Sequence, residues 1–342
     1  MKTCKAYSIL AISLITMLLM PLIMFHVSST ETTIIQQNPK EIQSSIGQSV
    51  TVNITVTNVT NLNAWQLYIL FNPAILTCIQ TLVPQNNIFK GHDTFFFVPI
   101  IDNLAGSILA MCTLTEPVGV TASGVLCQIK FSCKALGITP LIFANKMEAP
   151  IGTYLQTPDY NFIPFDAFDG MIKVTASGFQ EYLFEATQNS KKYKVLTLSN
   201  STVSSFNYDQ YLKTMTFNAA GTDGTRGFAS IAFSKELFNG TIAVLVVEEA
   251  VYGAPFENQT YNFLYFNYSH STKNIKIFLT LIEDVNGDRI VDIADISMII
   301  DAFLTSPGDP LWNPLTDINH DNIVDILDIS MAIDSFLEIW SP

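Results

Sequence analysis

The sequence predicts a mainly β chain, with two β-sandwiches followed by a small α-helical tail. Three observations carry this reading. Residues 48–59, "QSVTVNITVTNV", alternate apolar and polar side chains. Short strand-like runs divided by Gly, Pro and Asn continue to about residue 282, with little helical periodicity. Near the end, "DVNGDRIVDIADISMIIDAF" recurs thirty-three residues later as "DINHDNIVDILDISMAIDSF", with fourteen of twenty positions identical. A length of 342 residues leaves room for two or three domains.

The chain opens like an export signal over residues 1–29. Lys2 and Lys5 make a basic start, an apolar run spans Ile9 to Phe25, and Val27, Ser28 and Ser29 offer a small-residue exit. An uncleaved anchor is the alternative, against which Pro21 and the small-residue exit weigh. No later segment is apolar enough to span a bilayer. Secretion, or attachment at a cell surface through a partner, follows as the expected localisation.

The formal charge is −13, and −15 once Lys2 and Lys5 are removed. From residue 283 onward thirteen acids face one arginine, so nearly all of the imbalance sits in the tail. This excludes nucleic-acid binding by a basic face and makes a cation the natural counter-charge.

The first domain is read over residues 31–174. In its leading strand Val50, Val52, Ile54 and Val56 face one way, and Thr51, Asn53, Thr55 and Thr57 the other. "WQLYILF", "SILAMCTL", "GVLCQIKFSC", "TPLIFAN" and "GMIKV" supply further strands. Cys4 lies in the signal, while Cys78, Cys112, Cys127 and Cys133 all lie in this domain. Cys127 and Cys133 share a strand face at roughly 20 Å, too far to bridge to each other. Buried free thiols, and pairing with the other two cysteines, both remain open. Asn-x-Ser/Thr sequons at Asn53, Asn58, Asn200, Asn239, Asn258 and Asn267 predict glycosylated surfaces in an exported chain.

The stretches "GQSVTVNITVTNVTNLNAWQLYILFNPAIL", "GVLCQIKFSCKALGITPLIF" and "FDGMIKV" resemble a cohesin domain. The resemblance implies a nine-stranded, jelly-roll-like sandwich that receives a dockerin or serves as a related binding module. A plain structural sandwich is the alternative.

Residues 175–282 read as a second β-sandwich. "YKVLTLSNSTVSSFNY" and "KTMTFNAAGTDGTRGFASIAF" flank a Gly-rich turn, "GTIAVLVVEEA" predicts one buried strand, and "NIKIFLTLI" presents Ile275, Ile277, Leu279 and Leu281 on one face. Within it "SNSTVSSFNY", "GTRGFASIAFSKELFNG" and "YFNYSHSTKNIKI" are similar to a sandwich repeat of archaeal surface and secreted proteins. His92 and His270 are accompanied by no nucleophile motif. Glu248 and Glu249, adjacent on a strand, point to opposite faces and cannot act together on one glycosidic bond. The expectation is a protein without catalytic activity. Exposed aromatics in "HDTFFFV" are the candidate for sugar stacking, with core packing as the alternative.

In the tail, residues 283–342, each repeat spaces hard oxygen donors as a calcium loop does. Position 1 is Asp284 or Asp317, position 3 Asn286 or Asn319, and position 5 Asp288 or Asp321. The carbonyl of Ile290 or Ile323 follows at position 7, Asp292 or Asp325 at position 9, and Asp295 or Asp328 at position 12. Two Ca2+ ions are expected, with the tail folding or stiffening when they bind. Val291 and Val324 are expected to fasten the loops to a core. Ile296, Ile299, Ile300 and Phe303, and then Ile329, Ala332, Ile333 and Phe336, predict an apolar helical stripe behind each loop.

The two loop–helix halves, each lacking an entering helix, resemble a dockerin, and "SPGDPLWNP" resembles the linker of archaeal dockerin-like tails. The sequence departs from that pattern at position 6, where Arg289 and Asn322 replace the usual Gly. This puts strain on the first loop in prospect. The resemblance implies that positions 10 and 11, Ile293 and Ala294 in one half and Ile326 and Leu327 in the other, contact a cohesin. Packing within the tail is the alternative for these four. The expected whole is a secreted adaptor with cohesin-bearing and dockerin-bearing partners, in an assembly of the polysaccharide-degrading kind. Head-to-tail self-association is open to it. A carbohydrate-binding module attached through its dockerin is the other reading.

Overall fold

Alternation in the leading strand sets the first core. A computed structural model describes residues 32–341 other than Ala149 and Glu248. Residues 1–29, where an export signal is expected, with Cys4 among them, and Glu248 therefore lie outside the described residues.

The first sandwich is built from β1 (Ile34–Asn38), β2 (Glu41–Ser45), β3 (Ser49–Leu62), β4 (Ala64–Phe71), β5 (Leu76–Leu82), β6 (Thr94–Phe96), β7 (Ile100–Asp102), β8 (Ser107–Leu114), β9 (Val120–Cys133), β10 (Gly137–Phe143), β11 (Tyr154–Gln156), β12 (Asp166–Phe168) and β13 (Gly170–Thr175). One sheet has the order β12-β1-β3-β9-β5. The other has the order β2-β13-β10-β4-β8-β6, with β7 added against β8 and β11 against β4. Val50, Val52, Ile54 and Val56 of β3 are buried, as are Trp65, Leu67, Ile69 and Phe71 of β4, and these two rows meet in one core. Phe71 and Phe131 touch edge to face at 5.2 Å between centroids. Cys78, Cys112, Cys127 and Cys133 are buried free thiols. Burial pushes the Cys112 thiol up to about 11 and that of Cys127 further still, so none of these groups is poised to react.

The second sandwich is built from β14 (Gln180–Gln188), β15 (Lys191–Ser199), β16 (Thr202–Asp209), β17 (Thr214–Ala220), β18 (Arg226–Ser234), β19 (Ile242–Val246), β20 (Glu249–Val251), β21 (Ala254–Glu257), β22 (Tyr261–Ser269) and β23 (Lys273–Leu279). Its sheets have the orders β14-β15-β18-β22-β21 and β16-β17-β23-β19-β20. Phe217, Ile275 and Ile277 from one sheet pack against Ile231, Phe233 and Phe266 from the other. The single buried strand expected over residues 240–250 is corrected. β19 stops at Val246, which pairs back with Glu249, and Val247 between them is exposed at φ +54°. A hairpin that tight needs left-handed backbone, and chain reversal prevails over β propensity there.

β10 and β18 are buried on both faces, and that is where the sandwiches meet. Leu141 and Phe143 of β10 enter the first core, while Ile138 packs with Leu198, Phe228, Ala232 and Phe263 of the second sandwich. The backbone N–H of Ile138 donates to Ser230 Oγ at 3.0 Å, a buried bond between the two sandwiches. Ser230→Ala leaves that donor without its acceptor and is expected to cost about 1–2 kcal/mol. Thermal unfolding of the full chain checks this, and an unchanged midpoint would show that water or a shift of β10 replaces the bond.

Two short helices complete the structure, α1 (Ile293–Asp301) and α2 (Ile326–Asp334). Val285, Ile296, Ile299, Ile318, Val324 and Ala332 form their own small core. No helix among the described residues is long and apolar enough to cross a membrane.

Candidate calcium loops and docking surfaces

The acidic residues of each loop shape its backbone before they do anything else. Asp284 Oδ1 accepts from the N–H groups of Gly287 and Asp288 at 2.9 and 3.0 Å, and Oδ2 accepts from Arg289 N–H at 2.8 Å and from the Thr280 hydroxyl. Asn286 Oδ1 accepts from Asp288 N–H, and Asp288 Oδ1 from Ile290 N–H. Asp292 caps α1 while Asp295 answers it from the third helical position, a capping box. The other oxygen of Asp295 accepts from Asn286 N–H at 3.0 Å, which ties position 12 back to position 3.

The second loop repeats this arrangement. Asp317 accepts from Asp321 and Asn322, Asn319 from Asp321, and Asp321 from Ile323. Asp325 caps α2, and Asp328 accepts from Ile318, Asn319 and Asp325. Positions 4 and 6 are left-handed in both loops: φ is +76° at Gly287, +75° at Arg289, +60° at His320 and +70° at Asn322.

The duplication extends to the pairing around position 8. Val291 exchanges backbone hydrogen bonds with Leu337 and Glu338, and Val324 exchanges them with Leu304 and Thr305. Each partner is displaced by the same thirty-three residues as the loops, so the halves are related by an approximate twofold.

Whether these residues suit calcium is a question of donor chemistry and charge. The set is all oxygen, as a hard cation requires. Asp284, Asp295, Asp317 and Asp328 are buried, and the salt bridges of the described residues involve none of the tail acids. Burial pushes the Asp284 carboxyl above the usual carboxylate range, with Asp295 and Asp288 adding to the rise against the hydrogen bonds it accepts. A cation would relieve that charge. Among the described residues no three His, Cys, Asp or Glu side chains converge into a ready-made metal group; each loop would have to draw also on its Asn and on the Ile290 or Ile323 carbonyl. The side-chain oxygens at positions 3, 5 and 9 accept no more than one donor apiece and keep a lone pair for a cation, whereas both oxygens of Asp284 and Oδ1 of Asp328 already accept two donors and would have to give one up to a calcium ion.

The helical stripes need correcting. Ile296, Ile299 and Ala332 are buried and Ile329 is half-buried, but Ile300, Phe303, Ile333 and Phe336 are exposed. A nine-residue helix packing on another of the same length covers only a narrow strip. Ile293, Ala294, Ile326 and Leu327 are also exposed. Each helix thus leaves apolar side chains on its outer side, Ile293 and Ile300 on one and Ile326 and Ile333 on the other, with exposed Leu304 and Leu337 just beyond the two C-terminal ends.

The first sandwich has an apolar outer face on its larger sheet. Tyr68 and Leu70 of β4 and Leu109 and Met111 of β8 are half-buried there, and the exposed Phe95, Phe97 and Ile100 extend it at the β6–β7 edge. Phe95 and Phe97 meet at 83° between ring planes, so they do not form a flat platform for a sugar. Tyr182, Phe184 and Phe206 stack on one another and cover each other's faces.

Sequence reasoning missed one polar cluster. Ser201 Oγ lies 2.8 Å from His270 Nε2 and 2.7 Å from the Tyr268 hydroxyl, and Thr225 Oγ1 meets His270 Nδ1. Ser201 and His270 are buried, and the ring fills the space left by Gly221 and Gly227, where a Cβ would stand 2.4 and 2.8 Å from it. The group ties strand ends together. Among the sequons, Asn58 and Asn239 are exposed and Asn53, Asn200, Asn258 and Asn267 half-buried, with the Asn200 amide donating to Arg226 O.

No family model matches the chain, and no curated protein does. Solved structures similar to part of it are cohesin domains. A non-cellulosomal cohesin from the archaeon Archaeoglobus fulgidus is 15% identical over 42% of this chain and 92% of its own, with a TM-score of 0.32. A type II cohesin from the cellulosome of Acetivibrio cellulolyticus is 18% identical over 41% of this chain and 95% of its own, at 0.36. A type I cohesin–dockerin complex from Clostridium thermocellum contributes a chain 14% identical over 42% of this one and 99% of its own, at 0.34. Likenesses this distant carry no weight for partner or activity.

Proposed function

We propose that this protein is an exported, non-catalytic adaptor. Its tail is a calcium-dependent, dockerin-like plug for a cohesin, and its first sandwich is a cohesin-like receptor for dockerin-bearing proteins. The assembly it joins is extracellular, of the polysaccharide-degrading kind. The observation that carries the reading is the tail's twofold: two acid-lined loops, each opening a capped helix whose outer row is apolar. Buried charge calls for a cation, and an uncovered apolar row flanked by acids calls for a protein partner. On the first sandwich, the apolar outer face of the larger sheet supports the receptor role. With plug and receptor in one chain, head-to-tail association is open to it.

Calorimetry of the full chain against calcium, and then against a panel of cohesin domains in calcium and in excess chelator, tests the proposal. Two bound ions and cohesin binding that requires calcium are expected. A chain that binds no calcium, or that meets every cohesin equally in chelator, would overturn it.

A further inference from the structure

The two loops, so alike in sequence, sit in different surroundings. Arg289 at position 6 reaches out of its loop, and its Nη2 donates to Leu212 O at 2.8 Å and to Thr214 Oγ1 at 3.0 Å, both in the second sandwich. Its guanidinium lies between the rings of Phe278 and Trp340, 4.8 and 4.6 Å from their centroids. Nε is buried without an acceptor. Trp340 N–H donates to Arg289 O at 3.0 Å, and the indole packs on the second sandwich's core. Gly287 at position 4 lets the loop approach closely, since a Cβ there would stand 3.0 Å from the Leu245 side chain. Thr280, the residue after β23, donates its hydroxyl to Asp284.

None of this recurs thirty-three residues on. The second loop carries exposed His320 and Asn322 at positions 4 and 6, and Asn313 stands where Thr280 would. Both loops nevertheless hold the same left-handed backbone at these positions. An arginine is a poor choice for that conformation, so its side chain must gain elsewhere what the backbone loses. A flat guanidinium held between two rings while donating to two oxygens is such a gain.

We propose that the first loop is the joint between tail and second sandwich. Arg289 clamps it there and Thr280 braces Asp284, so the repeated loops are one clamped site and one copy that faces the second sandwich across a cavity, through Asp317 and His320, without a clamp. The clamp stands on the contacts alone; the unequal ion sites rest also on the calcium reading above. The middle sandwich then acts as the shoulder that holds the tail's apolar rows in a set direction. Arg289 is a positioning residue in this scheme.

The test uses the full chain with Gly287→His and Arg289→Asn combined. Both are residues the second loop already carries at the same positions in the same left-handed backbone. Small-angle scattering and limited proteolysis of residues 280–284 read the clamp, in calcium and in chelator. Cleavage about tenfold faster and a larger radius of gyration are expected in both, with Arg289→Lys in between. Unchanged scattering and cleavage would overturn the clamp. Calcium titration reads the brace. Thr280→Val is expected to weaken one of two ion affinities about tenfold and leave scattering unchanged; two unaltered affinities, or an equal fall in both, would overturn it. A wild-type chain that binds no ion would overturn the calcium reading and the unequal sites together, and the scattering result would still decide the clamp.

Discussion

Asp328→Ala is expected to cost the tail about 3–5 kcal/mol and one bound calcium ion. The carboxylate is fully buried and accepts three N–H groups, from Ile318 at 2.7 Å, Asn319 at 3.2 Å and Asp325 at 2.8 Å. Alanine strands all three donors. Each buried, unsatisfied donor costs about 1–3 kcal/mol, and the bond to Asp325 N–H is also the reciprocal half of the helix's capping box. Relaxation toward water keeps the total below the simple sum. Hydrogen exchange of tail amides in chelator measures the stability cost without any ion, and calorimetry counts ions. Loss of protection with two ions still bound would make Asp328 a cap and not a ligand. Unchanged protection would mean that the three donors find water.

That test also separates what the repeated acids do from what they look like. Their spacing is legible in sequence because a loop's ligands and its helix cap are local features, fixed within twelve residues. The strands of the first sandwich are legible for the same reason: Val50 to Val56 alternate whatever they later pack against. Arg289 is the opposite case. It reads as a misfit at position 6, yet its partner Leu212 lies seventy-seven residues earlier in the chain, and no local pattern announces that contact. Ser201 and His270 are hidden likewise, sixty-nine residues apart. The helical stripes fail for a third reason. Periodicity marks the apolar side of α1 and α2, but how much of it is covered depends on what packs there, and a second nine-residue helix covers only part. Val247 is a place where a two-residue reversal overrides β propensity. Its signal was available in the neighbouring Glu248 and Glu249, two acids that sit badly in a buried strand.

The uncovered rows lead to the change with the largest effect on binding. Ile293→Asp together with Ile326→Asp is expected to weaken cohesin binding at least a hundredfold while leaving calcium binding and tail stability nearly unchanged. Ile293 is 65% and Ile326 63% exposed, so a carboxylate at either position stays in water, and exposed substitutions usually move stability by no more than about 0.5 kcal/mol. Each opens a helix, where negative charge is favourable toward the N-terminus. At a buried contact the same charge is desolvated against an apolar partner, and losing one anchor typically costs about 2 kcal/mol or more. The single variants carry the sharper information. If the twofold gives two interchangeable surfaces, either substitution alone should change affinity by about the statistical factor of two, because the chain turns over and docks through the other half. If the clamp on the second sandwich admits only one orientation, one single variant should bind as weakly as the double and the other should bind like the unaltered chain. Unchanged affinity in the double variant would mean that the cohesin does not read these rows at all.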